Sequence, residues 1–436
     1  MQTPGFFEDL QWRGLVHQVT DVDLAQNRLN AQGLRVYIGF DPTASSLHVG
    51  SLLPIIMLLR LQKAGHVPLP VVGGGTGLIG DPSGKTTERQ LFSADLVRAN
   101  TVALAAQLNK IWQNLGEQPP HAPIDNAQWL SELGLIEFLR DTGKYFSVGA
   151  MIQRDSVRTR LHERDQGISF TEFSYMLLQA YDFLELYRRH DCCAQFGGSD
   201  QWGNIVSGID LIHRQTPDYV EKPVFGLTMP LITTRSGQKF GKTEAGTVWL
   251  DPQMTSPYKF YQFWINVEDA EVGPYLRFFT FFSRPEIEAL EAAHAEEPHL
   301  RRGQKCLARF VTFLVHGEEA MLHADKASQL LFGGDPKDSP EPVLAMLKHE
   351  IPAFDATAEP TTGSLLVGDC DGQPFKSNGE AKRAIAAGSV YFNGVKVSGD
   401  LNVPLASAQW LHDRYVLIRV GKKQYHLCEI KGSTAT

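Results

Sequence analysis

The sequence has few cysteines and no long apolar run, and both absences restrict the classes of protein to which it can belong. Its 436 residues include five cysteines, none in a C-x-x-C pair, which argues against a zinc site or a disulfide framework. No run of eighteen apolar residues occurs, so no transmembrane helix is expected. The N-terminus carries early acidic residues and lacks the apolar core of a secretion signal. These absences predict a cytoplasmic location and no membrane partner.

A basic excess is also lacking, because the net charge is −8, which by itself argues against a nucleic-acid partner. The charge is unevenly distributed, however. Residues 363–436 hold nine Lys and Arg against six Asp and Glu, whereas the preceding 362 residues hold 32 against 43. A basic C-terminal module on an acidic body favours a bound polyanion.

Residues 35–62 are the most informative stretch. Val36-Tyr37-Ile38 predicts a buried strand, and Asp41-Pro42-Thr43 predicts its end, because Pro fixes φ and Asp and Thr favour turns. The apolar run from Leu52 to Leu61 predicts a core helix. His48-Val49-Gly50-Ser51 then lies at the helix start, where free N–H groups and the positive dipole end favour an anion.

A glycine-rich loop follows the next predicted strand and imitates two nucleotide-binding motifs. Residues 75–80 fit the dinucleotide pattern G-x-G-x-x-G, but the turn sequence of residues 81–84 interrupts the helix that the fingerprint needs. Gly84-Lys85-Thr86 resembles the end of a P-loop, yet the glycine required at position 79 is Ile79. Neither a dehydrogenase nor a P-loop enzyme is therefore favoured.

A predicted helix over residues 170–186 places Tyr175, Gln179 and Asp182 on one face, because they are spaced by four and three residues. Polar groups among Phe, Met and Leu are costly unless they meet a polar ligand or one another. A ligand site and an internal network both remain open. Residues 192–196 predict a strand that ends in Gly197-Gly198, where a ligand can approach the backbone.

Four segments carry a family resemblance. His48-Val49-Gly50-Ser51 is similar to the "HIGH" signature of class I aminoacyl-tRNA synthetases, with Ser51 where many relatives have His. Residues 239–243, KFGKT, resemble the "KMSKS" signature in its bacterial tyrosyl-tRNA synthetase form, and residues 170–175 and 197–204 match the same family. The resemblance covers nearly the whole chain.

This resemblance implies an α/β fold with a Rossmann-like parallel-sheet nucleotide-binding domain in residues 1–250. A helical insertion at about 91–190 would supply the dimer contact of a homodimer. An α-helical anticodon-arm domain would occupy 251–348. Proline and threonine in residues 349–362 predict an irregular linker. Residues 363–436 resemble the small α+β S-four-type RNA-binding domain, with Asn393-Gly394 as a hairpin turn.

The resemblance further implies the reaction. L-tyrosine attacks the α-phosphorus of ATP, and the tyrosyl group of the adenylate then moves to the 3′ end of tRNA(Tyr). Mg²⁺ would arrive with the nucleotide, with no tightly bound protein metal and no DNA partner. The residues expected to contact phosphate during catalysis are Thr43, His48, Lys239 and Lys242. The residues expected to bind tyrosine are Tyr37, Asp81, Tyr175, Gln179, Asp182 and Gln201.

The ATP pocket would be formed by Gly39, Asp41, His48, Gly50, Gly198, Asp200 and Lys242, with Lys85 and Arg89 on a mobile loop near the phosphates. For Arg154 and Arg158 two interpretations remain open, a solvated helix face and a surface for the tRNA acceptor stem. The expected tRNA contacts in the C-terminal domain are Lys382, Arg383, Asn393 and Lys396. Two alternatives remain. A tryptophan-specific relative is disfavoured by the Tyr37 and Asp182 pair, and a non-catalytic RNA-binding relative by the intact His48 and lysines.

Overall fold

The computed structural model describes residues 5–83, 91–154, 157–158, 161, 167–232, 240–243, 246–357, 359–406 and 409–431, with the side chains of 217–218 and 242–243 also left aside. These residues form two compact units. The first comprises residues 1–255 and 267–315, and the second comprises residues 256–266 and 316–436. This division splits the predicted helical domain 251–348 between the units, and the functional domain boundaries remain a prediction.

The first unit contains a six-stranded sheet with the strand order β1-β6-β5-β2-β3-β4. Strands β2 to β6 run parallel to their neighbours, and β1 pairs with β6 in the antiparallel direction. The strands are β1 Gln18–Val19, β2 Arg35–Phe40, β3 Val67–Val72, β4 Ile124–Asp125, β5 Ala194–Gly198 and β6 Phe225–Met229. A separate two-stranded ribbon joins β7 Lys242–Thr243 to β8 Gly246–Thr247.

The helices of the first unit lie before, between and after these strands along the chain. They are α1 Phe6–Trp12, α2 Val22–Leu29, α3 Leu52–Lys63, α4 Ala94–Asn114, α5 Ala127–Leu130, α6 Leu135–Glu137, α7 Val148–Ile152, α8 Phe170–His190 and α9 Trp202–Gln215, and then, after the sheet, α11 Asp269–Phe279, α12 Arg284–Glu296 and α13 Arg302–His316. Between α9 and α11 lies α10 Pro257–Ile265, which belongs to the second unit. The predicted α/β class with a Rossmann-like sheet of mainly parallel strands is confirmed.

Helix α3 is the central core element of the first unit. Nine of its residues are buried, in agreement with the predicted core helix, because an apolar helix of this kind needs cover on every face. Pro54 is its third residue and therefore lies in the first turn, where its missing N–H breaks no intrahelical hydrogen bond. The turn Val49–Ser51 leads directly into this helix.

The second unit has a five-stranded sheet in the order β11-β10-β12-β13-β9. The strands are β9 Ala353–Ala356, β10 Val390–Phe392, β11 Val395–Lys396, β12 Tyr415–Val420 and β13 Gln424–Ile430, and the further helices are α14 Glu318–Leu331, α15 Glu341–Leu347, α16 Thr362–Leu366 and α17 Asn378–Ala386. The predicted Asn393-Gly394 hairpin turn is confirmed, with φ of 47° and 82°.

One expectation for the second unit is wrong. Residues 353–356, predicted to be irregular linker, form β9 and pair in parallel with β13 at the sheet edge. Local composition disfavoured a strand, but the partner strand is supplied from more than seventy residues later in the chain.

A shared apolar cluster joins the helices of the second unit to its sheet. It contains Leu330 of α14, Val343, Leu344 and Leu347 of α15, and Tyr415, Leu417 and Leu427 of the sheet. The helices and the sheet therefore stabilise each other. In neither unit is any helix of the described residues both long enough and apolar enough to cross a membrane.

Candidate functional site

Loops that follow three parallel strands meet at one edge of the first sheet. Thr76, after β3, donates a hydrogen bond from Oγ1 to Oδ1 of Asp41, after β2, at 2.8 Å. Gln201, after β5, donates from Nε2 to Oδ2 of Asp81, after β3, at 2.8 Å. The carboxyl edge of a parallel sheet is where such folds bind ligands. We therefore place the candidate site here.

Asp182 of α8 is a buried carboxyl group with two donors. Trp129 Nε1 donates to Oδ1 at 2.7 Å, and Asn126 Nδ2 donates to Oδ2 at 2.9 Å. Burial raises the pKa of Asp182 to about 8, although both donors favour the ionised form and oppose this rise. The two donors fix the orientation of the carboxyl group inside the pocket.

Tyr37 of β2 presents a buried hydroxyl group to the same pocket. Its ring is 2% exposed, and its hydroxyl has no hydrogen-bond partner among the residues that the structure describes. Burial, and then the charge of Asp182, raise the pKa of Tyr37 well above its usual value, so the group stays neutral. A buried hydroxyl without a partner costs free energy, and a polar ligand would satisfy it.

Asp41 connects the end of β2 to the polar face of α8. Tyr175 donates from its hydroxyl to Asp41 Oδ2 at 2.7 Å, and Asn126 Nδ2 donates to Thr76 Oγ1 at 3.0 Å. Burial, and then Asp41, raise the pKa of Tyr175 well above its usual value. A Cβ on Gly73 would lie 2.1 Å from Asp41 Oδ1, so only glycine fits there. These hydrogen bonds fix the side chains of Asp41 and Tyr175, both of which are predicted to bind ligands.

Side-chain amides joined by hydrogen bonds form a second group of residues at the candidate site. Gln179 Nε2 donates to Gln201 Oε1 at 3.1 Å. Asn204 Nδ2 lies 2.9 Å from Gln179 Oε1, 3.3 Å from Gln201 Oε1 and 3.4 Å from Ser83 Oγ. Asp81 Oδ1 also accepts from the backbone N–H of Ser83 at 2.8 Å. The structure thus brings five of the six predicted tyrosine-binding residues to one edge of the sheet, and the sixth, Tyr37, lies in the middle of β2 and is close enough to Asp182 to feel its charge.

The first signature forms a tight turn before α3. The backbone N–H of Gly50 donates to His48 Nδ1 at 3.0 Å, and a Cβ at position 50 would lie 2.7 Å from the imidazole ring. His48 itself is exposed, and its ring lies edge-on to Trp249 with centroids 6.2 Å apart. A side chain at position 50 would therefore displace the imidazole from this position, in which a ligand can reach it.

The two signatures adjoin in space although they are 190 residues apart. The backbone N–H of Val49 donates to the carbonyl of Val248 at 3.0 Å, and that of Leu250 donates to Leu47 at 2.9 Å. Gly241 has a φ of 82°, and a Cβ there would lie 2.2 Å from Val49 Cγ2. Gly241, Val248 and Leu250 are therefore packed directly against the residues that precede α3.

The structure also gives the exposure or the neighbours of several other predicted site residues. Thr43 is exposed in the loop after β2, Gly39 is an exposed position of β2, and a Cβ on Gly198 would lie 2.6 Å from Asp200 Oδ1. The backbone of Lys242 pairs with Thr247. The side chain of Lys242 and the predicted residues Lys85, Arg89 and Lys239 lie outside the described residues.

The predicted tRNA contacts differ in exposure. Arg154 is half-buried and donates from Nη2 to Ser207 Oγ of α9 at 3.3 Å, whereas Arg158 is exposed. In the second unit, Lys382, Arg383 and Lys396 are exposed, and Lys382 and Lys396 line one groove. Asn393 is different.

The side chain of Asn393 is buried, and its amide is used within the protein. It accepts from the backbone N–H of Leu417 at 2.7 Å and donates to the carbonyl of Gln409 at 2.6 Å. The amide of Asn393 therefore holds the hairpin to the sheet, and a contact between this residue and RNA stays a prediction.

Sequence reasoning missed four residues that hold the site together. Thr76, Asn126, Trp129 and Asn204 supply hydrogen bonds to the predicted ligand-binding side chains. Asn126 and Trp129 lie in a stretch interpreted only for its helical periodicity. Asn204 belongs to a recognised motif, and its position three residues after Gln201 was the available signal.

Comparison with protein families decides the identity. Residues 29–333 match the model of the class I tRNA synthetases (W and Y), and residues 344–428 match the C-terminal domain model of the tyrosine–tRNA ligases. The chain belongs to the class I tRNA synthetases. It is accordingly an aminoacyl-tRNA ligase, and the predicted family is confirmed.

Relatives of this class I tRNA synthetase share almost its whole length. It is 46% identical to tyrosine–tRNA ligase 2 of Enterococcus faecalis over 97% of this chain and 98% of that one. The tyrosine–tRNA ligase of Roseiflexus castenholzii is 45% identical over 97% of this chain and 99% of that one. A C-terminally truncated mitochondrial tyrosyl-tRNA synthetase of Aspergillus nidulans is 31% identical, with a TM-score of 0.66 over 76% of this chain and 95% of that one.

Proposed function

We propose that this synthetase is a tyrosine–tRNA ligase, which forms tyrosyl-adenylate from L-tyrosine and ATP and transfers the tyrosyl group to the 3′ end of tRNA(Tyr). One observation carries the proposal. The two signature segments are packed against each other at the sheet edge that also holds the pocket of Tyr37 and Asp182. An amino acid in that pocket would have its carboxylate near a nucleotide bound between the signatures.

The pocket fits the side chain of tyrosine. The unpartnered hydroxyl of Tyr37 and the fixed carboxyl of Asp182 can together bind a phenolic hydroxyl group. At the other end, Asp81, Gln201 and Gln179 are joined by hydrogen bonds, and the hydroxyl of Tyr175 donates to Asp41. We assign Asp81 to the substrate ammonium group and Gln201 to its carboxylate.

ATP would bind along the turn that contains the first signature. In-line phosphoryl chemistry needs positioning and charge stabilisation rather than a covalent catalyst. Thr43, His48, Lys239 and Lys242 would stabilise charge on the phosphates, while Asp200 would hold the ribose. The pocket walls would come from Gly39, Asp41, Gly50 and Gly198, and Mg²⁺ would enter with the nucleotide.

Pyrophosphate exchange with each of the twenty amino acids tests the proposed substrate. We expect ATP–pyrophosphate exchange with tyrosine alone, because only tyrosine fills the pocket and satisfies the hydroxyl of Tyr37. Exchange driven by tryptophan would favour the sister specificity of the same family. Exchange with no amino acid would contradict the proposed activation step.

Helix α17, with Lys382 and Arg383, and strand β11, with Lys396, are proposed to bind tRNA. Removal of residues 363–436 would test this poorly, because α14 and α15 would lose the sheet half of their apolar cluster. Exposed charges can be changed without that damage.

We expect the double variant Lys382→Gln and Lys396→Gln to weaken tRNA charging while pyrophosphate exchange stays unchanged. Each lost phosphate contact lowers the slope of log affinity against log salt by about 1, so the slope should fall by about 2. Lys337→Gln with Lys431→Gln, also exposed positions of the second unit, removes the same charge elsewhere. Equal weakening by this control pair would contradict a specific RNA-binding face.

A homodimer and a cytoplasmic location complete the proposal. The insertion carries apolar side chains that are between 48% and 75% exposed, namely Leu135, Ile136, Leu139 and Val148. Exposed apolar groups concentrated in one segment favour a protein interface. A second copy of the chain is the partner that the family resemblance implies.

A further inference from the structure

Two buried arginines converge on the carboxyl end of helix α11. Arg60 of α3 donates from Nη2 to the carbonyl oxygens of Arg277, at 3.0 Å, and Thr280. Arg13, after α1, donates to the carbonyl oxygens of Arg277 at 3.3 Å and Phe282 at 2.8 Å. Both arginines are 5% exposed. Cations at this end of a helix satisfy its last carbonyl groups and its negative dipole end.

The two arginines differ in their charge partners. Arg13 forms an ion pair with Asp9 at 2.8 Å, whereas no carboxylate of the described residues forms an ion pair with Arg60. The guanidinium of Arg60 also lies over the ring of Phe281, 5.5 Å from its centroid. Burial, and then the like charge of Arg13, lower the pKa of Arg60 to about 9. Its planar fork fixes geometry more rigidly than an ammonium group would.

Helix α11 supports the second signature. The ring of Phe240 lies 5.3 Å from that of Tyr275 and 5.6 Å from that of Phe279, and it is stacked on Phe279 with an interplanar angle of 16°. Phe279 directly precedes Thr280, whose carbonyl Arg60 binds. The stacked contact and the arginine contact are thus adjacent on one helix end.

These contacts form a closed path through the first unit. It runs from Arg60 to the end of α11, from Phe279 to Phe240, and from the neighbouring Gly241 to Val49 at the start of α3. Because Arg60 lies in the last turn of α3 and Val49 lies in the turn that precedes α3, this helix sets both ends of the path.

We propose that Arg60 is a positioning residue for adenylate formation: it fixes α11 to α3 and thereby holds Phe240, and with it the second signature, against the first. Arg60 touches no reacting atom in this scheme. The inference rests on the proposed role of the second signature in activating tyrosine.

The test compares Arg60→Lys with Arg13→Lys in the full-length chain. Each variant replaces a buried guanidinium group that donates to the carbonyl of Arg277, but only Arg60 lies on α3. We expect Arg60→Lys to lower kcat of ATP–pyrophosphate exchange by about tenfold or more, with KM for tyrosine within about twofold, because small remote displacements reduce rate. Arg13→Lys should lower the Tm comparably and leave kcat within about twofold of wild type.

A second variant tests the path itself. Phe279→Leu removes the stacked contact and should also lower kcat with KM for tyrosine unchanged. If both residues act through one path, Arg60→Lys combined with Phe279→Leu will be no slower than the slower single variant. Multiplying effects would overturn the proposal.

The remaining outcomes are also decisive. A kcat unchanged in Arg60→Lys despite a lower Tm, or equal slowing by Arg13→Lys, would overturn the proposal. If Arg60→Lys does not fold, an unchanged kcat in Phe279→Leu overturns it and a lowered kcat supports it. Failure of the proposed activation role would instead leave Lys242→Ala fully active, which separates the two results.

Discussion

Asp182→Ala is expected to lower kcat/KM for tyrosine by about 10²–10³-fold and to abolish the preference over phenylalanine. The change removes the acceptor for the phenolic hydroxyl and leaves Trp129 Nε1 and one of the two N–H groups of Asn126 Nδ2 without the acceptor they have here. An unsatisfied buried polar group costs about 1–3 kcal/mol, and two groups are affected. Kinetics of pyrophosphate exchange with both amino acids would measure the result.

The preference at stake is large. Sites that hydrogen-bond a substrate hydroxyl reject the analogue without it by about 10⁴–10⁵, a figure measured on tyrosyl-tRNA synthetases themselves and not inferred from this structure. An Asp182→Ala enzyme with an undiminished preference for tyrosine would contradict the assigned pocket.

Tyr37→Phe is the matched control for this prediction. It removes one hydroxyl that has no partner in the described part of the free chain, so the Tm should not fall. The loss in kcat/KM for tyrosine should be only about threefold to tenfold, because one neutral hydrogen bond is lost. A larger loss than in Asp182→Ala would reverse the assigned importance of the two groups.

Lys242→Ala is expected to slow adenylate formation by about 10²–10³-fold while KM for tyrosine stays within about twofold. A donor that acts on developing phosphate charge is worth about 2–4 kcal/mol in the transition state alone. The backbone of Lys242 is held in the β7–β8 ribbon, so its substitution should leave the ribbon intact. Single-turnover measurement of adenylate formation isolates this step.

Lys242→Arg provides the comparison, because it keeps the positive charge while changing its shape. Partial recovery of rate is expected. A Lys242→Ala enzyme with a normal rate and a raised KM for tyrosine would instead place the lysine in ground-state binding.

The local elements of the site were predictable from sequence. The strand Val36–Ile38 and the helix after it follow from apolar pattern, and the Asn393-Gly394 turn follows from the positive φ that its residues tolerate. The face of Tyr175, Gln179 and Asp182 follows from helical spacing. The interpretation as a ligand site needed the family signatures.

Features made by distant partners were not predictable. The strand Gln18–Val19 has only two residues and exists because β6, more than 200 residues later, accepts it. The strand Ala353–Ala356 likewise depends on β13. The helix end bound by Arg13 and Arg60 lies more than 200 residues away in sequence. The spacing of apolar residues within one segment gives no information about its pairing with a distant segment.

The apolar cluster shared by α14, α15 and the C-terminal sheet limits how this sheet can be exchanged between proteins. Residues 363–436 alone would leave β9, the strand that closes one sheet edge, on the other fragment. An open edge of that kind invites pairing between copies. A graft that carries the proposed RNA-binding face into another enzyme would therefore have to begin no later than Glu318, so that α14, α15 and β9 stay with the sheet, and it would also need α10, which belongs to the same unit.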